Sequence, residues 1–176
     1  GEVFVQGIYD QVDYDEKTDG QGYQRSSKGG QAALGYKGQW GDLSGELSFG
    51  VLTQNFDDAR FDTVTAPVFD IDLTWRPSRT TQISGVIERS LEETTISGAS
   101  SYLSTSAGAR LRYRVAQNLS LASYLFLTEN DYQGFDRNDR YAEAGLSLRY
   151  YLNPKVYLDA DYAFQQRLSG TAGQDF

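Results

Sequence analysis

Apolar and polar residues alternate with period two along most of the chain. In the stretch 67–76, Phe69, Ile71, Leu73 and Trp75 fall on one side and Asp70, Asp72, Thr74 and Arg76 on the other. Further on, Val156, Leu158, Ala160, Tyr162 and Phe164 alternate with Tyr157, Asp159, Asp161 and Ala163. Ala109, Leu111, Tyr113 and Val115 alternate with Arg110, Arg112 and Arg114. A helix would scatter these charges around its circumference, whereas a strand sorts them onto one face. The pattern predicts strands over 2–13, 30–40, 43–55, 67–76, 80–92, 99–115, 119–129, 140–152 and 155–168. Most are longer than the ~5–6 residues usual in globular sheets. They match the ~9–11 residues with which a tilted strand crosses a bilayer.

The connections alternate in length. Short ones fall at 40–42, 77–79, 116–118 and 153–154, and long polar ones at 14–29, 56–66, 93–98 and 130–139. Short turns at one end and long loops at the other are expected of an outer-membrane barrel. Trp40, Trp75, Tyr113 and Tyr150 each precede a short turn with apolar-face parity. They are predicted to form an interfacial aromatic belt at that rim, with Tyr9, Tyr162 and Phe164 as candidates for a second belt. The fold class expected is all-β, an antiparallel up-and-down transmembrane β-barrel.

Composition first argues against this picture and then for it. Mean hydropathy is −0.53 and net charge −8, which alone suggest a soluble acidic protein. The 18 glycines and 13 tyrosines suit a wall with one apolar and one wet face, because tyrosine has an apolar body and a polar tip. The chain has no Cys and no His. Disulfides, thiolate or imidazole metal sites and His-dependent catalysis are therefore excluded. The acidic balance argues against a nucleic-acid partner. Carboxylate pairs are so abundant that a carboxylate-only hydrolase stays open without being indicated, and the reading is non-enzymatic with no cofactor and no metal site.

The inward face is expected to carry lumen-lining charge at Lys37, Glu46, Asp70, Asp72, Glu88, Arg110, Arg112, Arg114, Glu143, Arg149, Asp159 and Asp161. The tight turn at 40–42 sets Lys37 opposite Glu46 and Tyr36 opposite Leu47. The turn at 153–154 sets Arg149 opposite Asp159 and Tyr151 opposite Tyr157. Two readings follow: mutually neutralised wall charge, or an arginine ladder at 110, 112 and 114 that attracts anions. Inward Tyr102, Tyr124, Tyr151 and Tyr157 stiffen the wall or stack on sugar rings. The acidic stretches 13–20 and 129–139 do not fit a calcium loop and read as solvated charge, with loose cation bridging to lipopolysaccharide as the alternative. The stretch 20–30 reads as a mobile loop.

The stretches PVFDIDLTWRPSRTTQISG, LRYRVAQNLSLASYLF and LSLRYYLNPKVYLDADYAF resemble the hairpins of β-barrel porin type 2 proteins, outer-membrane barrels of Gram-negative bacteria often linked to exopolysaccharide loci. The resemblance covers about residues 30–168. It implies an outer-membrane location, contact with the lipid bilayer and lipopolysaccharide, and a part in envelope polysaccharide export. Envelope-assembly partners or a homo-oligomer are further possibilities. Nine strands leave one terminus on each side, against the even count usual for such barrels. Residues 1–176 are therefore expected to be one domain of barrel wall that is part of a longer chain, and 170–176 do not alternate as a strand. Three functions follow: a passive or export-linked pore, a structural or assembly component without conductance, and a soluble ligand-binding up-and-down barrel.

Overall fold

The computed structural model describes residues 1–15, 18–134 and 136–169. It contains nine strands: β1 (Glu2–Val12), β2 (Ser27–Trp40), β3 (Leu43–Phe56), β4 (Val64–Ser78), β5 (Thr81–Glu93), β6 (Ser101–Ala116), β7 (Leu119–Gln133), β8 (Asn138–Asn153) and β9 (Val156–Ser169). They form one antiparallel sheet in chain order, so every connection is a hairpin. The all-β up-and-down reading is what the structure shows. β1 pairs only with β2 and β9 only with β8, so the sheet is open among the described residues. The stretch 170–176, expected not to alternate, lies outside the described residues.

The short turns set the register. Trp40 pairs with Leu43 across Gly41 and Asp42. Gly41 has φ 63°, at the first of two turn residues, the position a type II′ hairpin reserves for glycine. Pairing outward from this turn sets Lys37 across from Glu46 and Tyr36 across from Leu47. The three later short turns each carry a register shift beside them, at Trp75/Ser78, Arg114/Ala116 and Tyr151/Asn153. On the other side of each bulged strand the ladder with the preceding strand runs one step further. Arg76 N–H donates to the Asp42 carbonyl, Arg114 N–H to Thr80 and Tyr151 N–H to Asn118, each at 2.8 Å. Every short turn from β2–β3 to β6–β7 is thus bonded to the strand that opens the following turn.

Alternation then sorts the side chains. Leu34 (59% exposed), Phe49, Val51, Leu125, Leu127 and Leu146 stand on the outward face with nothing over them. Trp40, Trp75, Tyr113 and Tyr150 stand on the same face at the short-turn end, and Tyr36 stacks on Trp40 at 5.4 Å. At the other end the apolar outward positions of β5–β8 stop at one row of cross-strand neighbours, Arg89, Thr105, Glu129 and Arg140. Arg140 pairs with Glu129 at 3.1 Å, and Asn138 Nδ2 donates to the same carboxylate at 2.7 Å. Tyr9 stands beside Gly30 near this limit, but Tyr162 and Phe164 stand beside Leu146 and Ala144, within the band. The second aromatic belt expected from the sequence is therefore replaced by a polar and charged row.

Above that row the strands continue. In the stretch 130–139, expected to be a loop, β7 runs on through Gln133 and β8 already starts at Asn138. Here the inner face is buried: Leu52, Val64, Ala66 and Val68 are all closed off from solvent.

Candidate functional site

Curvature makes the inner face a site. One cavity of about 750 Å³ touches residues from β4 through β9, which a flat sheet could not bring together. Arg76, Arg79, Arg112, Arg114 and Arg149 line it at the short-turn end, against Asp159 and Asp161. Asp159 is taken: Arg149 Nε and Nη2 donate to its two carboxylate oxygens at 2.7 and 2.8 Å, over the Tyr157 ring at 4.3 Å. This bidentate geometry is the strong form of the pair. Tyr151 faces Tyr157 with ring centres 5.9 Å apart. Arg110, Arg112 and Arg114 make no ion pair among the described residues.

Two carboxylates share the depth of this ladder, three strands away, and the others lie above it. Asp161 shares a hydrogen-bond row with Ser147, Ala122 and Arg112, and Asp159 shares one with Arg149, Ser120 and Arg114. Asp70 and Asp72 lie in the rows of Ser106 and Gly108, farther from the short turns than Arg110. Glu46, Asp70 and Glu88 line a separate cavity of about 290 Å³ that spans β1–β5. Lys37 pairs with Glu46 at 3.2 Å there. The short-turn mouth thus carries five arginines against two aspartates, one of them paired with Arg149, and a carboxylate-rich patch lies above it.

Glycines position the inward aromatics. A Cβ on Gly145 would stand 2.2 Å from the Tyr124 ring and one on Gly108 2.3 Å from the Phe126 ring, so both rings lie on bare backbone. Tyr124 also donates to Glu143 at 2.9 Å, and Arg110 stands over Phe126 at 4.7 Å. Tyr124 is therefore a packed wall residue. Tyr102 is tilted against Tyr132 at 5.3 Å, close to Arg137, Asp139 and Arg167, a cluster that sequence patterning leaves unassigned. Gly108→Val is expected to expel the Phe126 ring and lower stability by ~1–3 kcal/mol. Gly85→Val, which meets only the Gly108 carbonyl at 3.9 Å, should be tolerated. Urea midpoints of the two variants check this, and equal midpoints would mean the ring is not held on the glycine.

At the long-loop end three loops are joined. Gln24 N–H donates to Asp58 Oδ2 at 2.9 Å, Arg60 bonds the same carboxylate, and Tyr23 stacks on Phe61 at 5.2 Å. Arg25, from the stretch expected to be mobile, is buried and pairs with Asp19 at 2.8 Å. The Arg60 side chain holds the Asp58 carboxyl far below the usual carboxylate range. Backbone amides, led by Tyr23 N–H, together with Arg25 lower that of Asp19. Lowered carboxyls stabilise the folded loops above the ordinary carboxylate range, and this contribution is lost only as pH falls toward the lowered values. Sequence reasoning missed Arg25 because its partners lie far along the chain.

The family model described as "Putative beta-barrel porin 2" matches residues 1–176. Among curated proteins and solved structures none matches the chain.

Proposed function

Because the chain belongs to this beta-barrel porin family, we propose that it forms wall of a solute pore in the outer membrane of a Gram-negative bacterium, with the outward band against lipid and the inner face lining the channel. The carrying observation is the outward apolar band, closed by Trp40, Trp75, Tyr113 and Tyr150 at one end and by Arg89, Thr105, Glu129 and Arg140 at the other. From Leu119 to Glu129 a strand rises ~33 Å along its axis. At a tilt of ~40° this is ~25 Å along the membrane normal, the height of the apolar band of such barrels. The charged row then stands at the level of lipopolysaccharide phosphates. The edges of β1 and β9 that are free among the described residues need partners, since unpaired backbone is not tolerated in hydrocarbon, and further strands of the same protein are the simplest source.

The excess of arginine over carboxylate at the short-turn mouth, with Arg112 and Arg114 in no ion pair among the described residues, favours anionic solutes. Sugar stacking is less well supported as a means of polysaccharide passage, because Tyr124 is occupied by Gly145 and Glu143. A porin-like family points to a passage and not to a catalyst.

Topology tests the reading. The chain lacks cysteine, so single thiols report cleanly. Asp62→Cys, in the long β3–β4 loop, should react with an impermeant reagent on intact cells, and Ser78→Cys, at a short turn, should react only after the outer membrane is opened. The reverse result would overturn the orientation. Correct labelling without conductance in planar bilayers would leave a structural barrel.

A further inference from the structure

The β5–β6 hairpin departs from the sheet at its tip. Pairing of β4 with β5 stops at Phe69–Arg89, while β4 above this point pairs only with β3 and β5 continues with β6 to Glu93–Ser101. By alternation Glu93, Ser101 and Leu103 share the outward parity of Arg89. Yet Ser101 is 1% and Leu103 6% exposed. The Glu93 carboxylate accepts from Tyr14 at 2.8 Å and from Ser27 at 3.5 Å, and Ser27 is an inward residue of β2 bonded to inward Gln54 at 2.9 Å. Ser101 and Glu93 line a cavity of about 470 Å³ together with inward Asp10, Leu52 and Gln54. The tip has turned into the concave side, so that its formerly outward face meets the inner face of β1–β3.

Arg25 binds the backbone of the tip there. Arg25 is 7% exposed, and its guanidinium donates to the carbonyls of Thr94 (3.1 Å), Ile96 (3.3 Å) and Ala99 (2.6 Å) while Nε pairs with Asp19. Three carbonyls of one tight tip converge on one planar fork, a geometry that lysine's point charge does not reproduce. Tyr23 and Phe61 flank the guanidinium at 5.0 and 5.4 Å and tie it to the β3–β4 loop. Removing it would take this donor from the Thr94 and Ala99 carbonyls and the cation from Asp19, which would keep only its backbone amide donors, and this is costly inside a closed cluster.

We propose that the inturned β5–β6 tip is the constriction that limits the size of solute passing the channel, and that Arg25 is the latch that keeps it inward. This rests on the pore reading above. The test uses a thiol at Ala99, a residue with 0% exposure, in the complete protein folded in vesicles. Ala99→Cys alone should resist a water-soluble maleimide. Combined with Arg25→Ala it should react at least tenfold faster, and the vesicles should admit larger neutral oligosaccharides than vesicles carrying the parent. If Arg25→Ala gives no folded band on unheated gels, Arg25→Gln, which keeps volume but not the fork, is read in its place. Unchanged labelling in a permeable protein would overturn the latch and leave the pore standing. Labelling that rises while parent and variants all stay impermeable would overturn the pore, and the constriction with it, and leave the latch.

Discussion

Leu73→Arg is expected to cost ~2–4 kcal/mol of folding stability in a bilayer, whereas Thr74→Arg, one residue on, costs far less. Leu73 is flanked across the sheet by Gly45 and Gly85, so no neighbouring side chain can cover a charge placed there. It stands between the Trp75 rim and Phe69, beside Ile71 in an apolar depression with Leu125 and Leu127. An arginine here has only hydrocarbon to face. Thr74 points to the inner face, where its hydroxyl lies 3.0 Å from that of Ser84, and an arginine there joins the basic mouth in water. Urea unfolding in lipid vesicles measures both. Equal costs would mean that the outward face does not meet lipid.

Replacing Arg110, Arg112 and Arg114 together by glutamate should shift the ion preference of the proposed channel toward cations. Among the described residues the three side chains make no ion pair, and of the two aspartates at the mouth Asp159 is bound by Arg149, so positive charge is in excess there. Fixed charge in a narrow, low-dielectric wall sets the sign of the local potential. Screening lengths of ~10 Å at 0.1 M and ~3 Å at 1 M salt predict that the change is largest in dilute salt. Reversal potentials across a salt gradient decide it. Identical values for parent and triple variant in an open channel would reduce the ladder to a structural role.

Period two and turn spacing carry most of this architecture, because in a sheet two residues wide in repeat each side chain's face follows from parity alone. The Lys37–Glu46 and Arg149–Asp159 pairs follow from turn geometry by counting outward from Trp40–Leu43 and from Asn153–Val156. Parity misleads only where the strands leave the sheet. Nothing local to Glu93 or Leu103 says that β5 parts from β4 at Phe69, so their inward contacts are invisible to alternation. Polarity misleads at 130–139, where Asn130, Asp131 and Asp139 look like loop residues but pair as strand above the apolar band. Arg25 sits among glycine, serine and glutamine, a composition that reads as mobile. Its order comes from carbonyls some seventy residues away.

The bonds from Asp42, Thr80 and Asn118 to the strand after the next hairpin begins have a kinetic meaning. Each completed turn presents a carbonyl already aimed at the amide of the next strand to arrive, so a hairpin that has docked becomes the template for its successor. Strands touch substantially only their sequence neighbours, so every pair closes over a single connection and none waits on a distant part of the chain. Such a chain behaves as a nearly one-dimensional array in which growth can proceed from either edge and damage stays confined to adjoining units. A wall built this way gains or loses circumference in whole hairpins while the remaining register is undisturbed.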